Sequence, residues 1–155
     1  MRRPCERRCV TSLLKHLKIW LSVPKLAWQA DPVRYYEYLG DDVVGGEGSR
    51  PEALDRPLWL NLGYWQTART YPEAASAMAR LVAEAAQLGA NDRLLDVGFG
   101  FAEQDFFWLE HYGVKSITGL NITPMQVERA KQRAAQRGLE ARLDLRVGSA
   151  TDVPL

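Results

Sequence analysis

The stretch that most constrains how this chain folds runs from Leu94 to Glu103. A short apolar run ends in Asp96, and Gly98 and Gly100 follow before a segment of helical character. Such a strand–turn–helix corner suits a nucleotide-like ligand, because glycines let the backbone approach closely and a helix N-terminus offers free N–H groups. The dinucleotide motif G-x-G-x-x-G needs a third glycine at the position of Glu103, so this corner disfavours a nicotinamide cofactor.

The pattern D-x-G-x-G-x-A, from Asp96 to Ala102, resembles the first motif of the class I S-adenosyl-L-methionine (SAM) dependent methyltransferases. SAM carries no phosphate, so its site needs an acceptor and an open turn rather than an arginine or lysine clamp. The resemblance implies that Asp96 accepts hydrogen bonds from the cofactor, directly or through water. Gly98 and Gly100 would keep side chains out of its way. A single short motif also leaves an ordinary strand-to-helix loop as an alternative.

A second strand, Ser116–Ile122, is predicted about 20 residues further on, followed by a helix. Thr123 is expected to cap this helix, Pro124 to take its first position and Gln126 to complete a capping box. Gly138 is expected to end it as the C′ residue.

The end of this second strand is where doubly wound nucleotide folds place a ribose-binding side chain. Asn121 stands there, followed by Ile122. Most members of the resembled family have Asp or Glu at this point, and an asparagine offers one acceptor oxygen instead of two. The resemblance therefore implies that Asn121 and Ile122 contact the cofactor, with a weaker grip on the ribose.

A third strand is predicted at Leu143–Val147, and the residues after it resemble the family's adenine-binding segment. Ser149 stands where an aspartate is common, and its hydroxyl can still accept from the adenine amino group. The backbone of Ala150 is placed beside the adenine ring edge by the same resemblance. Asp152 is expected to form a turn or a helix cap rather than to bind a ligand.

Before the first strand, residues 61–65 resemble the opening of small-molecule methyltransferases. Tyr64 and Trp65 are expected to form either a packed aromatic corner or a lid over the cofactor. An amphipathic helix is predicted from Pro72 to Leu88, ended by Gly89. Its apolar face is expected to comprise Met78, Leu81, Val82, Ala85 and Leu88.

These elements predict an α/β fold: a Rossmann-like doubly wound sheet, incomplete because only the first three strands are recognisable, preceded by N-terminal helices. Residues 1–58 are expected to form a helical extension or cap, and residues 59–155 the N-terminal part of a SAM-binding domain. In the resembled family the first strand is central, between the second and the fourth. The strand Arg93–Val97 is therefore expected to be an open apolar edge.

That open edge leads to an expectation about the protein as a whole. The chain is expected to be the N-terminal portion of a methyltransferase: a truncated product, half of a split enzyme, or a fragment. It is expected to associate with itself or with a complementing C-terminal half through the open edge, and to show little methyl transfer alone.

Composition limits the remaining function classes. A net charge of +1 over 155 residues gives no general electrostatic case for nucleic acid. Cys5 and Cys9 have no second ligand pair, so neither a metal site nor a disulfide framework is predicted, and the chain is expected to be cytoplasmic. The apolar stretch at residues 10–21 contains Lys15, His16 and Lys18, which excludes stable membrane insertion.

The function implied by the resemblance is transfer of a methyl group from SAM to an oxygen or nitrogen of a small-molecule metabolite. No residue is assigned as general base, so the catalytic residues stay unknown. The alternatives are a non-catalytic SAM-binding or partner-binding remnant and, disfavoured by Glu103, a nicotinamide oxidoreductase.

Overall fold

The computed structural model describes residues 32–36 and 56–153. The chain divides into two compact units, Met1–Tyr36 and Glu37–Leu155. In the first unit, residues 32–36 are helical, and the rings of Tyr35 and Tyr36 meet edge-on with their centroids 5.4 Å apart. The predictions for Cys5, Cys9 and residues 10–21 lie outside the described residues.

In the second unit, helices and strands alternate along the chain, which favours a parallel sheet. The elements are α1 (Tyr71–Ala85), β1 (Arg93–Val97), α2 (Glu103–His111), β2 (Ser116–Asn121), α3 (Pro124–Gln136), a short 3₁₀ helix (Glu140–Arg142) and β3 (Leu143–Val147). The strands lie in the order β1-β2-β3 and both pairings are parallel. The predicted three strands and the incomplete Rossmann-like sheet are confirmed.

One face of this sheet carries the main hydrophobic core. Leu94 pairs with Ile117 and Gly119 with Leu145, and paired residues of parallel strands point to the same face. A Cβ on Gly119 would lie 2.6 Å from Leu145 Cδ2 and 2.7 Å from Phe99 Cδ1. Because Gly119 has no side chain, the Phe99 ring from the turn after β1 packs directly on β2.

The opposite face of β1 is open. Leu95 and Val97 alternate with the core-facing residues and are 45% and 42% exposed. In the described part of the chain, β1 pairs only with β2, so its other edge has no neighbouring strand. The predicted apolar edge at Arg93–Val97 is confirmed.

The prediction for α1 was wrong at its C-terminal end and on its face. The helix ends at Ala85, because Gln87 adopts a left-handed φ of 54° and the Leu88 N–H donates to Ala83 O at 3.0 Å. Leu81 and Val82 are 42% and 41% exposed. The buried face instead consists of four alanines, Ala74, Ala75, Ala79 and Ala83.

Those small side chains explain why the alanine face packs inward. They let α1 come close enough for the Trp108 indole N–H of α2 to donate to Ala79 O at 2.9 Å. A pattern based on large apolar residues does not detect such a face, because close backbone approach rather than side-chain volume determines it.

Helix α3 begins at Pro124 and ends as predicted, but its capping differs. Gly138 has φ +66°, and the Leu139 N–H donates to Ala134 O at 2.9 Å, which confirms the C′ glycine. The capping by Thr123 and Gln126 was wrong. Thr123 makes no side-chain cap bond, and Gln126 Oε1 accepts from Asn121 Nδ2 at 2.8 Å.

Glu103, the first residue of α2, joins three parts of the second unit through one buried carboxylate. Its Oε2 accepts the Leu58 N–H at 2.9 Å and lies 2.7 Å from Arg133 Nη2 of α3, both side chains being 5% exposed. Its Oε1 lies 2.7 Å from Arg137 Nη2. Two cations and one backbone donor compensate the buried charge, so this contact ties α2 to α3 and to the segment before α1.

Removing that charge is expected to destabilise the protein strongly. Glu103→Gln keeps the shape of the side chain but removes the negative charge that lies 2.7 Å from the buried Arg133 guanidinium, which is expected to cost about 3–5 kcal/mol. The matched control is Glu110→Gln on the same helix, whose exposed pair with Arg137 should contribute under about 1 kcal/mol. Urea unfolding measures both, and equal losses would contradict a special role for Glu103.

Candidate functional site

The three segments predicted to bind the cofactor follow the carboxyl ends of the three strands. The Gly98 N–H donates to Leu120 O at 2.7 Å, and the Gly148 N–H donates to Asn121 O at 3.1 Å. These bonds extend the parallel pairing by one step beyond each strand. The segments after β1, β2 and β3 therefore lie side by side along one edge of the sheet, where open α/β sheets bind ligands.

A cavity of about 210 Å³ opens beside the first of these segments. One part of its wall is the corner between β1 and α2, and the other is the extended segment before α1. The lining residues are Leu58, Trp59, Leu60, Asn61, Asp96, Gly98, Phe99, Glu103 and Gln104. Asp96 and Gly98, both predicted from the sequence, lie here together.

The two glycines of the turn have different roles. Gly98 has φ +88°, which strains any residue with a side chain, but an added Cβ would meet nothing within 4 Å, so the space beside it is open to a ligand. Gly100 has φ +60°, and its Cβ would lie 2.6 Å from Leu60 Cδ1. Gly100 does not line the cavity. Because it has no side chain, the Leu60 side chain can pack over the turn.

The sequence did not predict that residues 58–61 form a wall of the cavity. It pointed instead to the aromatic residues that follow, Tyr64 and Trp65. The Tyr71 hydroxyl lies 2.9 Å from Trp59 O and 2.8 Å from Asn61 O. The Asn61 side chain accepts the Gly63 N–H at 2.9 Å and donates to Ala75 O at 3.1 Å. These bonds, with Glu103 on the Leu58 N–H, fix the segment in place.

Tyr64 and Trp65 are not among the lining residues of the cavity. Trp65 is 51% exposed and donates its indole N–H to Leu62 O at 2.9 Å, while the Tyr64 hydroxyl contacts Gln66 Oε1 at 2.7 Å. A packed aromatic corner was therefore wrong for Trp65. The lid remains a prediction.

Asn121 lies at the predicted place, with its side chain directed inward. It is 7% exposed, and its Nδ2 donates to Gln126 Oε1 at 2.8 Å and contacts Gly100 O at 3.5 Å. Its amide thus links the turn after β1 to the start of α3, and Ile122 beside it is half-buried. Neither residue lines the cavity, so their contact with a ribose stays a prediction.

After β3, Ser149 organises a turn. Its hydroxyl lies 2.8 Å from Thr151 Oγ1 and accepts the Thr151 N–H at 3.2 Å. The Asp152 N–H donates to Ser149 O at 3.2 Å, which confirms the turn expected at Asp152. Ala150 is exposed in this turn. The adenine contacts of Ser149 and Ala150 stay predictions.

A second carboxyl behind Asp96 was also missed. Asp105, in the first turn of α2, is fully buried, and neither of its side-chain oxygens meets a hydrogen-bond donor among the described residues. Its neighbour is the Asp96 carboxyl. Two carboxylates cannot hydrogen-bond, because each only accepts, so a proton on one of them is required.

The environment places that proton on Asp105. Burial raises the pKa of Asp105 well above its ordinary value, and the charge of Asp96 and the hydrogen bond between the two groups raise it further. Burial also raises the pKa of Asp96, but hydrogen bonds from Asp105 and the Val97 N–H oppose this. Asp105 is therefore the member of the pair that holds a proton more tightly. The only sequence signal was an aspartate directly before the apolar run Phe106–Leu109.

This arrangement makes stability depend on pH in a defined direction. A carboxyl whose pKa rises on folding destabilises the native state above its unfolded-state pKa, so stability falls as pH rises from the unfolded to the folded pKa. Asp105→Asn removes the titration and keeps an N–H donor. The variant should exceed wild type by about 1 kcal/mol or more at pH 7, since each pKa unit corresponds to about 1.4 kcal/mol.

The gain of Asp105→Asn should shrink as the pH approaches 4, where the unfolded-state carboxyl is itself protonated. Urea unfolding of both proteins across this range measures it. A variant less stable than wild type at pH 7, with an unchanged pH dependence, would contradict a proton on Asp105.

The described residues contain neither a metal-binding cluster nor a membrane-spanning helix. No group of three or more His, Cys, Asp or Glu residues in this part of the chain is arranged to hold a metal ion. None of its helices is long and apolar enough to cross a membrane.

Comparison with known proteins identifies relatives of this site. Residues 95–155 match a family model described as a methyltransferase domain. The chain is 40% identical over 120 residues to the erythromycin 3''-O-methyltransferase of Saccharopolyspora erythraea, covering 77% of this chain and 37% of that protein. It is 31% identical over 118 residues to the 27-O-demethylrifamycin SV methyltransferase of Amycolatopsis mediterranei, covering 74% and 43%. The chain therefore spans less than half the length of these relatives.

Solved structures share the fold. The [4+2]-cyclase SpnF superposes with a TM-score of 0.64 at 29% identity, covering 79% of this chain and 43% of that one. A geranyl diphosphate C-methyltransferase from Streptomyces coelicolor superposes with a TM-score of 0.56 at 18% identity, covering 81% and 51%.

The three parallel strands, the cavity at Asp96 and Gly98, and these matches agree with one another. Residues 95–155 belong to the methyltransferase domain family, and the chain has the N-terminal part of the class I SAM-dependent methyltransferase fold.

Proposed function

We propose that this chain binds SAM in the cavity between the β1–α2 corner and residues 58–61. The observation that carries the proposal is the placement of the Asp96 carboxyl group and the open Gly98 on one wall of the cavity. SAM presents an ammonium group that a carboxylate can hold, and a methionyl chain that needs backbone without side chains beside it. Among the described residues, no positively charged side chain lines the cavity, which suits a cofactor without phosphate.

The other cofactor contacts follow the sheet edge. Asn121 and Ile122 would meet the ribose, and Ser149 and Ala150 the adenine, since both segments lie beside the Gly98 turn. For Asn121 this requires its carbonyl oxygen, because its amide nitrogen is already bound to Gln126. Gly100 would act through the shape of the turn.

The reaction proposed for the whole protein is methyl transfer to an oxygen or nitrogen of a small-molecule metabolite. The bound cofactor supplies an electrophilic methyl group on a sulfonium. The residues of this chain hold the cofactor in place, and catalysis then depends on proximity and orientation. Two relatives with oxygen acceptors in their names favour a hydroxyl acceptor. No described residue is assigned as the base.

A second candidate is binding without methyl transfer. It is favoured by the likeness to SpnF, a [4+2]-cyclase, because a protein of this fold then serves a reaction other than the one named for the family. A turnover assay with SAM and macrolide or ansamycin hydroxyl acceptors distinguishes the two, since both candidates bind the cofactor and only the first consumes it.

We further propose that residues 1–58 form a helical cap on the SAM-binding part, residues 59–155, and that the protein works in the cytoplasm. The support for this is local to Leu58, whose N–H is bound by Glu103 and whose side chain packs with Phe101 within the second unit.

The cofactor proposal is tested by a matched pair of glycine substitutions. Gly98 and Gly138 both have positive φ and open space at Cβ, but only Gly98 lines the cavity. Each change to alanine should cost about 1 kcal/mol of stability through backbone strain. Calorimetry should show SAM bound more tightly than NAD by wild type and by Gly138→Ala, and about tenfold more weakly by Gly98→Ala.

Tighter binding of NAD than of SAM would overturn the cofactor. Equal SAM affinity in the two alanine variants would place the site elsewhere.

For the open face of β1, we propose that further polypeptide completes the sheet, either a complementing C-terminal half or, without one, a second copy of this chain. Leu95 and Val97 support this, because a sheet normally has both faces of a parallel strand covered.

Without a complementing half, the chain is expected to self-associate through this face. Leu95→Thr with Val97→Thr should shift it towards monomer in analytical ultracentrifugation, because both side chains lie on one face of β1. Leu62→Thr is the control, since Leu62 is 89% exposed but lies in the turn before α1. Association that responds only to the control would move the interface away from β1.

A further inference from the structure

The carboxyl pair formed by Asp96 and Asp105 has a feature that cofactor binding by Asp96 alone does not use. Asp96 reaches the cavity, whereas Asp105 lies behind it, fully buried and without any donor among the described residues. A buried carboxyl with no donor is costly, and replacing it by an apolar residue would remove the cost. Its position against Asp96 indicates a role in orienting the Asp96 carboxyl group.

The charges around Asp105 leave Asp96 as its partner. From β1, Asp96 is the titratable group that acts on it. On its own helix, Glu103 is engaged by Arg133 and Arg137 of α3, and on α1 the Arg80 guanidinium lies over the Phe107 ring at 5.5 Å. Among the described residues no cation acts on Asp105, so burial favours its protonated form, whose O–H can donate to Asp96.

We propose that Asp105 is a positioning residue: its O–H binds one carboxylate oxygen of Asp96 and leaves the other oxygen aimed into the cavity to accept a ligand's amino group. The Val97 N–H also donates to the Asp96 carboxylate, so donors from two elements fix its rotation. The pair then carries one negative charge, which matches one ammonium group. This inference rests on the proposed function and adds the residue that orients the Asp96 carboxylate.

Two probes and two variants separate this role from a structural one. The probes are S-adenosylhomocysteine, which carries the amino acid, and 5′-methylthioadenosine, which has the nucleoside without it. Asp105→Leu fills the buried space but has no donor; Asp105→Asn keeps a donor N–H. Affinities of the full chain are measured by calorimetry at pH 7, together with thermal stability.

Asp105→Leu should lower the affinity for S-adenosylhomocysteine by about tenfold or more, since a hydrogen bond to a charged group is lost. The same variant should keep its affinity for 5′-methylthioadenosine within about threefold of the wild-type affinity, and its thermal stability should not fall. Asp105→Asn should restore the affinity for S-adenosylhomocysteine to within about threefold of the wild-type affinity. A merely structural Asp105 would instead lower stability and both affinities together.

A spectroscopic arm needs no ligand. The infrared spectrum of wild type at pH 7 should contain the C=O stretching band of a protonated carboxylic acid, absent from Asp105→Asn. Absence of this band from wild type overturns the proposal, as does S-adenosylhomocysteine binding that Asp105→Leu leaves unchanged. If wild type binds neither probe, the proposed function fails first, and the amino-group role of the pair fails with it.

Discussion

The ion-paired carboxylate of Glu103 is the contact on which the rest of the site depends. It lies at the first residue of α2, where it compensates two arginines of α3 and accepts the N–H of Leu58. Without it, the segment from Leu58 to Asn61 loses its attachment to α2 and the cavity loses one wall. A buried charge with this many partners stabilises one arrangement, because most alternatives leave an arginine or a carboxylate uncompensated.

The second constraint is the parallel sheet. Because three strands run the same way, the turns after them meet at one edge, and residues far apart in sequence become neighbours there. The first turn supplies the open Gly98 and the Asp96 carboxylate. The second turn is joined to the first by the Asn121 amide, which contacts Gly100 O. Site and fold therefore share the same bonds, so a change at the turn affects both.

How much the sequence predicted depends on whether the signal was local. The strands at Arg93–Val97 and Leu143–Val147 and the C′ role of Gly138 were predicted correctly, since short apolar segments followed by turn residues, and single glycines, report local backbone preference. The alanine face of α1, the cap at Thr123 and the roles of Glu103 and Asp105 were not. Each depends on what another element brings nearby: Trp108 for α1, Asn121 for Gln126, Arg133 for Glu103 and Asp96 for Asp105.

The central claim is that the cavity at Asp96 and Gly98 holds the amino acid end of SAM. A crystal structure of the chain with S-adenosylhomocysteine tests it most directly. The account predicts the ligand's amino nitrogen within hydrogen-bond distance of the Asp96 carboxylate, its methionyl chain beside Gly98, and the ribose near Asn121. A ligand bound with its amino group away from Asp96, or outside the space between the β1–α2 corner and residues 58–61, would contradict it.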